Sequence, residues 1–285
     1  MKSIAVIVAL LAGCNQSRPE EAKEPPPPVV SGSAGSAAIA SASKPISSQP
    51  IAPYHPSGAV PDSIKAAISA PDRSEEDRRL DAGRKPGEVL AFFGVAPGMK
   101  IGELFAGAGY TTELLARVAG SSGVVYAQNT KEAMDKLARK PLSERAGKAV
   151  MQRVVVVERP IDAPFPPEAK QLDLVITVLN YHDAVHADSD RAAMNKAVYA
   201  ALKKGGVYAI VDSSAQVGSG GRDAGTLHRI DESLVKSEVG AAGFTLAAES
   251  EVLRNPSDPR DWNSSPDAAG PKRGTSDRFV LKFVK

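Results

Sequence analysis

Residues 97–129 read PGMKIGELFAGAGYTTELLARVAGSSGVVYAQN, and this run decides the fold. Residues 101–105 form a short apolar strand that ends at Ala106, Gly107, Ala108 and Gly109. The helix that follows puts Leu114, Leu115 and Val118 on one face and stops at Gly120, after which residues 124–127 return as a second strand. Strand, glycine turn, helix and strand in one run open a doubly wound α/β sheet, whose ligands lie at the carboxyl ends of its strands. Glycines at 107 and 109 remove side chains where a nucleotide-type ligand must touch backbone, and the free N–H groups of the new helix can bind a carboxylate. A dinucleotide turn would place a third glycine where Thr112 stands, which speaks against that ligand.

Upstream, the chain begins Met1-Lys2, continues with an apolar run at 4–11 and reaches Leu11-Ala12-Gly13-Cys14. That run is too short for a stable membrane span and has the charged start and small-residue end of an export signal. LAGC is the pattern of a bacterial lipobox, so residues 1–13 are expected to be removed and Cys14 to carry acyl chains. Two or more such chains would hold the protein on a membrane surface, on the exported side. Cys14 is the only cysteine, so a disulfide, a thiol nucleophile and a cysteine zinc cluster are excluded. Residues 14–61, rich in Pro, Ser, Ala and Gly, read as a disordered tether with a reach of about 35 to 40 Å. A net charge of +2 with interspersed signs gives no case for nucleic acid binding.

Residues 62–285 make one domain with room for a substantial core. A densely charged stretch at 72–84 precedes an apolar helix end at 89–95. Beyond the opening unit, 131–142 reads as helix and 153–158, with four consecutive valines, as a buried strand. Further strands fall at 172–179, 207–211, 244–253 and 278–284, and further helices at 192–204 and 232–242. Continuous apolar strands alternating with helices predict a seven-stranded, mainly parallel sheet covered by helices on both faces, with the last strand antiparallel.

Glu103 before the Gly107-x-Gly109 turn resembles motif I of class I S-adenosylmethionine (SAM) methyltransferases, a Rossmann-like family. NYHD at 180–183, LHRID at 227–231 and RGTSDRF at 273–279 extend the resemblance, over roughly 70–285, to a group of bacterial members whose substrates are unnamed. The glycine-turn region alone, about thirty residues, also resembles protein-isoaspartyl methyltransferases. The family likeness implies SAM as cofactor, held by Glu103, Gly107, Gly109, Tyr110 and Asn129, with Asp162 nearest the adenine and Asn180 near the methyl group. The family usually ends its second strand with an acidic residue that accepts both ribose hydroxyls, whereas this chain has Gln128-Asn129.

The acceptor side is expected in the loops above the strand ends. Amino methyltransferases place an Asn or Asp, two prolines and an aromatic residue after strand four; here Asn180-Tyr181-His182-Asp183 lacks the prolines. Tyr181 is expected beside the sulfonium, and His182, with Asp183 and His228, to serve acid–base chemistry. A loop at 213–227, with Gly218, Gly220 and Gly221, reads as a mobile lid, and a long loop at 254–277 overhangs the pocket with Trp262, Arg260 and Arg273. Arg229 and Arg273 are the candidate grips for an acceptor anion. Asp183, His186, Asp212, His228 and Asp231 could ligate a divalent ion, yet no compact spacing such as HExxH supports one, and the site is read without metal. The whole reads as a membrane-tethered methyltransferase acting on a small-molecule acceptor. The alternative is a lipoprotein that binds a nucleoside or another small ligand without catalysis, because SAM is made in the cytosol while LAGC predicts export.

Overall fold

The computed structural model describes residues 54–285. The export signal, Cys14 and most of the expected tether lie outside the described residues. Where description begins the chain is already docked: the Tyr54 hydroxyl donates to the Glu88 carboxylate, Ser57 N–H donates to Glu88 Oε1 at 2.9 Å, and Val60 is buried. The folded unit therefore extends upstream of residue 62, because an aromatic ring and a valine there have a face to cover.

Three helices come first, α1 (Asp62–Ser69), α2 (Glu75–Arg84) and α3 (Pro86–Phe93). Strand β1 (Lys100–Leu104), helix α4 (Tyr110–Ala119) and strand β2 (Val124–Asn129) follow. Next comes α5 (Lys131–Ala133), a π turn (Met134–Ala138) and α6 (Arg139–Ala146), then β3 (Val154–Glu158) and β4 (Leu172–Val178). The remainder is α7 (Tyr181–His186), α8 (Arg191–Ala201), β5 (Leu202–Ser213), α9 (Ala224–Leu227), α10 (Glu232–Ala241), β6 (Thr245–Glu249) and β7 (Arg278–Val284). No helix among the described residues is long and apolar enough to cross a membrane.

The strands form one sheet in the order β3-β2-β1-β4-β5-β7-β6. β1 to β5 pair in parallel, and β7 lies antiparallel between β5 and β6. Alternation along the strands divides the core. Ile101, Leu174, Ile176, Ala209 and Val211 pack with Ile64, Leu90, Phe93, Leu114 and Leu115 of α1, α3 and α4. Leu104, Val175, Tyr208 and Ile210 pack with Met194, Val198, Val235 and Val239 of α8 and α10 on the other face. Apolar side chains on both sides of β1 and β4 are what central parallel strands require.

Three local expectations change. The valines of β3 are not a buried run: Val155 and Val156 are 40% and 43% exposed, since β3 pairs only with β2 and forms the sheet edge. The helix expected to reach 204 ends at Ala201, and β5 takes up Leu202 through Gly206 beside Leu172. NYHD is not a loop, because Tyr181, His182 and Asp183 open α7 with Asn180 as its N-terminal cap residue.

Candidate functional site at the carboxyl edge of the sheet

The β1–α4 turn is built for close approach. Gly107 and Gly109 have φ of 56° and 88°, in the left-handed region that L side chains avoid. Their surroundings differ. A Cβ on Gly107 would meet nothing nearer than Phe105 O at 3.9 Å, so the space above it is open. A Cβ on Gly109 would stand 2.8 Å from Leu142 Cδ2 and 3.0 Å from Arg145 Cδ, so that glycine admits α6. Phe105 also has a positive φ, 52°, a strained state for a bulky residue that apolar patterning does not reveal.

Side chains from β1, β2 and β4 hold this backbone. Gln128 Oε1 accepts from Phe105 N–H at 3.1 Å, and its amide donates to Arg159 O. Asn129 Oδ1 accepts from Gly107 N–H at 2.9 Å, and its Nδ2 lies 3.4 Å from Gly107 O. The amide expected to face a ribose is thus committed to the turn and 1% exposed. Asn180 Nδ2 donates to Phe105 O and Val178 O, which fixes its flip and leaves Oδ1 free of bonds among the described residues. Glu103 is buried beneath the turn, where Thr112 Oγ1 donates to it at 2.5 Å. Burial pushes its carboxyl up to about 8, against the Thr112 hydrogen bond and more distant Arg84 and Arg145.

Tyr110 turns away from the open space: its hydroxyl donates to Asp81 Oδ1 at 2.6 Å, and the Arg84 guanidinium lies 4.4 Å from its ring centroid. It ties α2 to the glycine turn. Asp81 also takes both amino groups of the buried Arg73. Asp162 is exposed and makes no side-chain hydrogen bond among the described residues.

Two positions along from Asn180, His182 enters a buried polar chain. Asp212, wholly buried at the end of β5, accepts from His182 backbone N–H at 2.9 Å and faces ring Nδ1 at 2.8 Å. A carboxylate only accepts, so Nδ1 carries a proton, and in the neutral ring Nε2 keeps its lone pair. Nε2 stands 3.2 Å from His228 Nδ1 and 3.4 Å from Asp183 Oδ1. Burial works against charge on His182, but Asp212 more than offsets it and raises the ring's proton affinity above the usual imidazole value. His228 is held below it by burial and then by neighbouring His182. Asp183 is raised by burial, with Asp212 adding to this against the pull of His182 and His228.

His228 reaches this point through backbone pairing. Ser214 bridges Ile230 in parallel, with Ile230 N–H donating to Ser213 O and Ala215 N–H to Ile230 O. Ser264 Oγ donates to His228 O at 2.7 Å, so the 254–277 loop holds the residue from behind. Nor is 213–227 an unrestrained lid, for the Asp231 carboxylate caps α10 and accepts from Gly218 N–H at 2.6 Å.

Two substrate contacts expected from the sequence are corrected. Tyr181 is completely buried between α8 and α10, accepting from Asn195 Nδ2 at 2.8 Å and donating to Glu238 Oε2 at 2.9 Å. Arg229 is equally buried, with Nη1 bonded to Asp258 Oδ2 at 2.8 Å and to Ser214 O, and with its guanidinium against Trp262. Both side chains are buried and bonded within the protein, which leaves neither exposed to an acceptor. Arg273 is exposed, and its side chain makes no hydrogen bond among the described residues. The sequence reading missed Asp212 as the partner of His182, although a carboxylate ending a central strand at the crevice was a usable signal.

Protein-family models give no match to this sequence, and curated proteins give none either. Solved structures do share the fold. A SAM-dependent methyltransferase from Aquifex aeolicus is 19% identical with a TM-score of 0.50, over 70% of this chain and 88% of that one. A candidate sarcosine dimethylglycine methyltransferase from Galdieria sulphuraria is 18% identical with a TM-score of 0.51, over 75% and 89%. The seven-stranded sheet with β7 antiparallel inside its edge is the class I SAM methyltransferase fold.

Proposed function

We propose that this chain is a SAM-dependent methyltransferase for a small-molecule acceptor, held at a membrane surface through a lipidated Cys14. The observation that carries the cofactor assignment is Gly107: a left-handed glycine at the end of the first parallel strand, with open space where a side chain would stand. The open face of Gly107, Ala108 N–H and Asn180 Oδ1 are the groups left to meet the cofactor, because Gly107 N–H is spent on Asn129 and Glu103 lies buried against Thr112. SAM, when bound, supplies a methyl group on a sulfonium centre. The protein's part is to align the acceptor and receive its proton, and alignment of this kind accounts for much of the rate of such transfers.

On the acceptor side both ring nitrogens of His182 are engaged, so His228 and Asp183, whose side chains are 30% and 38% exposed, are the groups an acceptor meets. Asp212 and His182 position them from below. A histidine kept below its usual proton affinity is neutral at pH 7 and able to accept a proton. One observation favours binding of another ligand without catalysis as the second reading: β2 ends in Gln128 and Asn129, and both amides are bonded to the turn's backbone, so neither is free to clamp a ribose.

Calorimetric titration with SAM and S-adenosylhomocysteine tests the cofactor assignment, with Gly107→Val as its control. Wild type is expected to bind both, and the folded variant to bind neither, since the added branch fills ligand space. Equal affinity in a folded variant would remove the glycine turn from the site. Incubating the protein with methyl-labelled SAM and cell extracts then separates the readings: a labelled product is expected, and tight binding with no labelled product in any extract would favour the binder.

A further inference from the structure

The groups on the acceptor side have a geometry that a proton relay does not require. His182 Nε2, His228 Nδ1 and Asp183 Oδ1 come from one short helix and one left-handed residue, and they converge on a single point. Their separations are 3.2 Å between the two nitrogens, 3.4 Å from His182 to Asp183 and 3.7 Å from His228 to Asp183. Ligands bound to one ion at about 2.0–2.2 Å, in tetrahedral or octahedral arrangement, stand about 3.0–3.5 Å apart. Two edges of the observed triangle fall in that range and the third exceeds it by 0.2 Å, a shift that a small side-chain rotation closes.

Lone pairs give a second reason. Asp212 fixes the proton of His182 on Nδ1, so Nε2 presents a lone pair toward an Asp183 oxygen that also only accepts. Two such acceptors need a proton or a metal cation between them, and an ion there would be bound by both. Asp212 in turn accepts from the backbone N–H groups of His182 and Ser213, so its orientation is fixed. A carboxylate holding the far nitrogen of a histidine is the usual outer support of a metal-bound imidazole. His182 is buried, while His228 and Asp183 are partly open, so the ligand triangle has a closed back and an accessible front.

We propose that His182, Asp183 and His228 form a three-ligand site for a divalent first-row transition ion, zinc or iron(II), with open positions toward solvent. Two imidazoles and one carboxylate select this class over magnesium or calcium, which take oxygen. Binding of the ion stands independently of methyl transfer. Its role rests on the methyltransferase reading: an acceptor hydroxyl or thiol on the open face would lose its proton more readily beside the ion.

The test uses the untagged full-length chain, purified in detergent, stripped with chelator and titrated with Co²⁺ as a spectroscopic probe and with Zn²⁺. One equivalent of Co²⁺ is expected to give visible ligand-field bands that Zn²⁺ abolishes. His228→Ala and Asp183→Ala, at partly exposed positions that tolerate truncation, should each weaken Zn²⁺ binding at least 100-fold. His186→Ala should leave it unchanged, and Asp212→Asn should weaken it about 10- to 100-fold, as loss of an outer carboxylate does. SAM affinity of His228→Ala measured alongside should match wild type, which separates this site from the cofactor pocket. Wild type without a one-equivalent site, or a His228→Ala variant that binds Zn²⁺ as wild type does, would overturn the proposal.

Discussion

A carboxyl group with no hydrogen-bonded cation lies beneath the glycine turn, and its titration is the most direct handle on the site at the level of single residues. Glu103 accepts from Thr112, the residue that stands where a dinucleotide turn would have glycine. In the sequence Thr112 could be read only as a missing glycine; in the structure its hydroxyl is the donor for a buried acid. The group holds its proton until about 8 when folded, against an ordinary value of 4.5. Between these values the native state binds more protons than the unfolded chain, so stability is full below about 4.5 and is lost as pH rises toward 8. The slope reaches about 1.4 kcal/mol per pH unit at most. Glu103→Gln keeps an acceptor for Thr112 and removes the titration. Urea midpoints measured from pH 5 to 8 are expected to fall for wild type relative to the Gln variant, and curves that stay parallel would reject the buried-acid account.

The elements divide by how much of their role is carried by side chains near in sequence. β7 falls at the expected residues, and β1, β2 and β4 within two residues of expectation, because each is a short apolar run between turn residues. α4 was equally legible from Leu114, Leu115, Val118 and the stop at Gly120. α7 was not, since its six residues include two histidines and an aspartate, and its burial comes from Asp212 and Glu238, 30 and 57 positions away in sequence. The same applies to the 254–277 loop. Its length suggested an overhang, whereas a single buried carboxylate organises it: Asp258 accepts from Arg229, Trp262 Nε1, Arg260 N–H and Asp277 N–H. Asp258→Ala would leave the Arg229 guanidinium buried and unpaired, a loss of about 3–5 kcal/mol for a pair of this kind. Thermal unfolding of the variant is expected well below wild type, with SAM affinity kept at low temperature because the glycine turn is held by Gln128 and Asn129 instead. An unchanged melting temperature would return Arg229 to the list of candidate substrate contacts.

At the scale of the whole molecule, the pocket and the N-terminus make opposing demands. The proposed cofactor is SAM, a product of the cytosol, while the lipobox pattern Leu11-Ala12-Gly13-Cys14 leads to the proposal of cleavage and acylation on the exported side. About forty residues lie between Cys14 and the first docked side chain, Tyr54, so a lipid at Cys14 need not distort the folded unit. The two proposals are separable by experiment because Cys14 is the only cysteine and none of the residues described at the site is a cysteine. Cys14→Ala is expected to move the protein from the membrane to the soluble fraction, to abolish labelling by a fatty-acid analogue and to leave SAM affinity unaltered. Mass analysis of the purified wild type should show a chain beginning at an acylated Cys14, since two or more acyl chains are what stable anchoring requires. Wild-type protein that is soluble and retains residues 1–13 would sink the anchor and, with it, the conflict over cofactor supply. If the anchor holds, SAM bound to protein recovered from the exported fraction decides whether the methyl donor reaches the site there; recovery without SAM, from a protein that binds it tightly in the test tube, would favour a different ligand at the membrane.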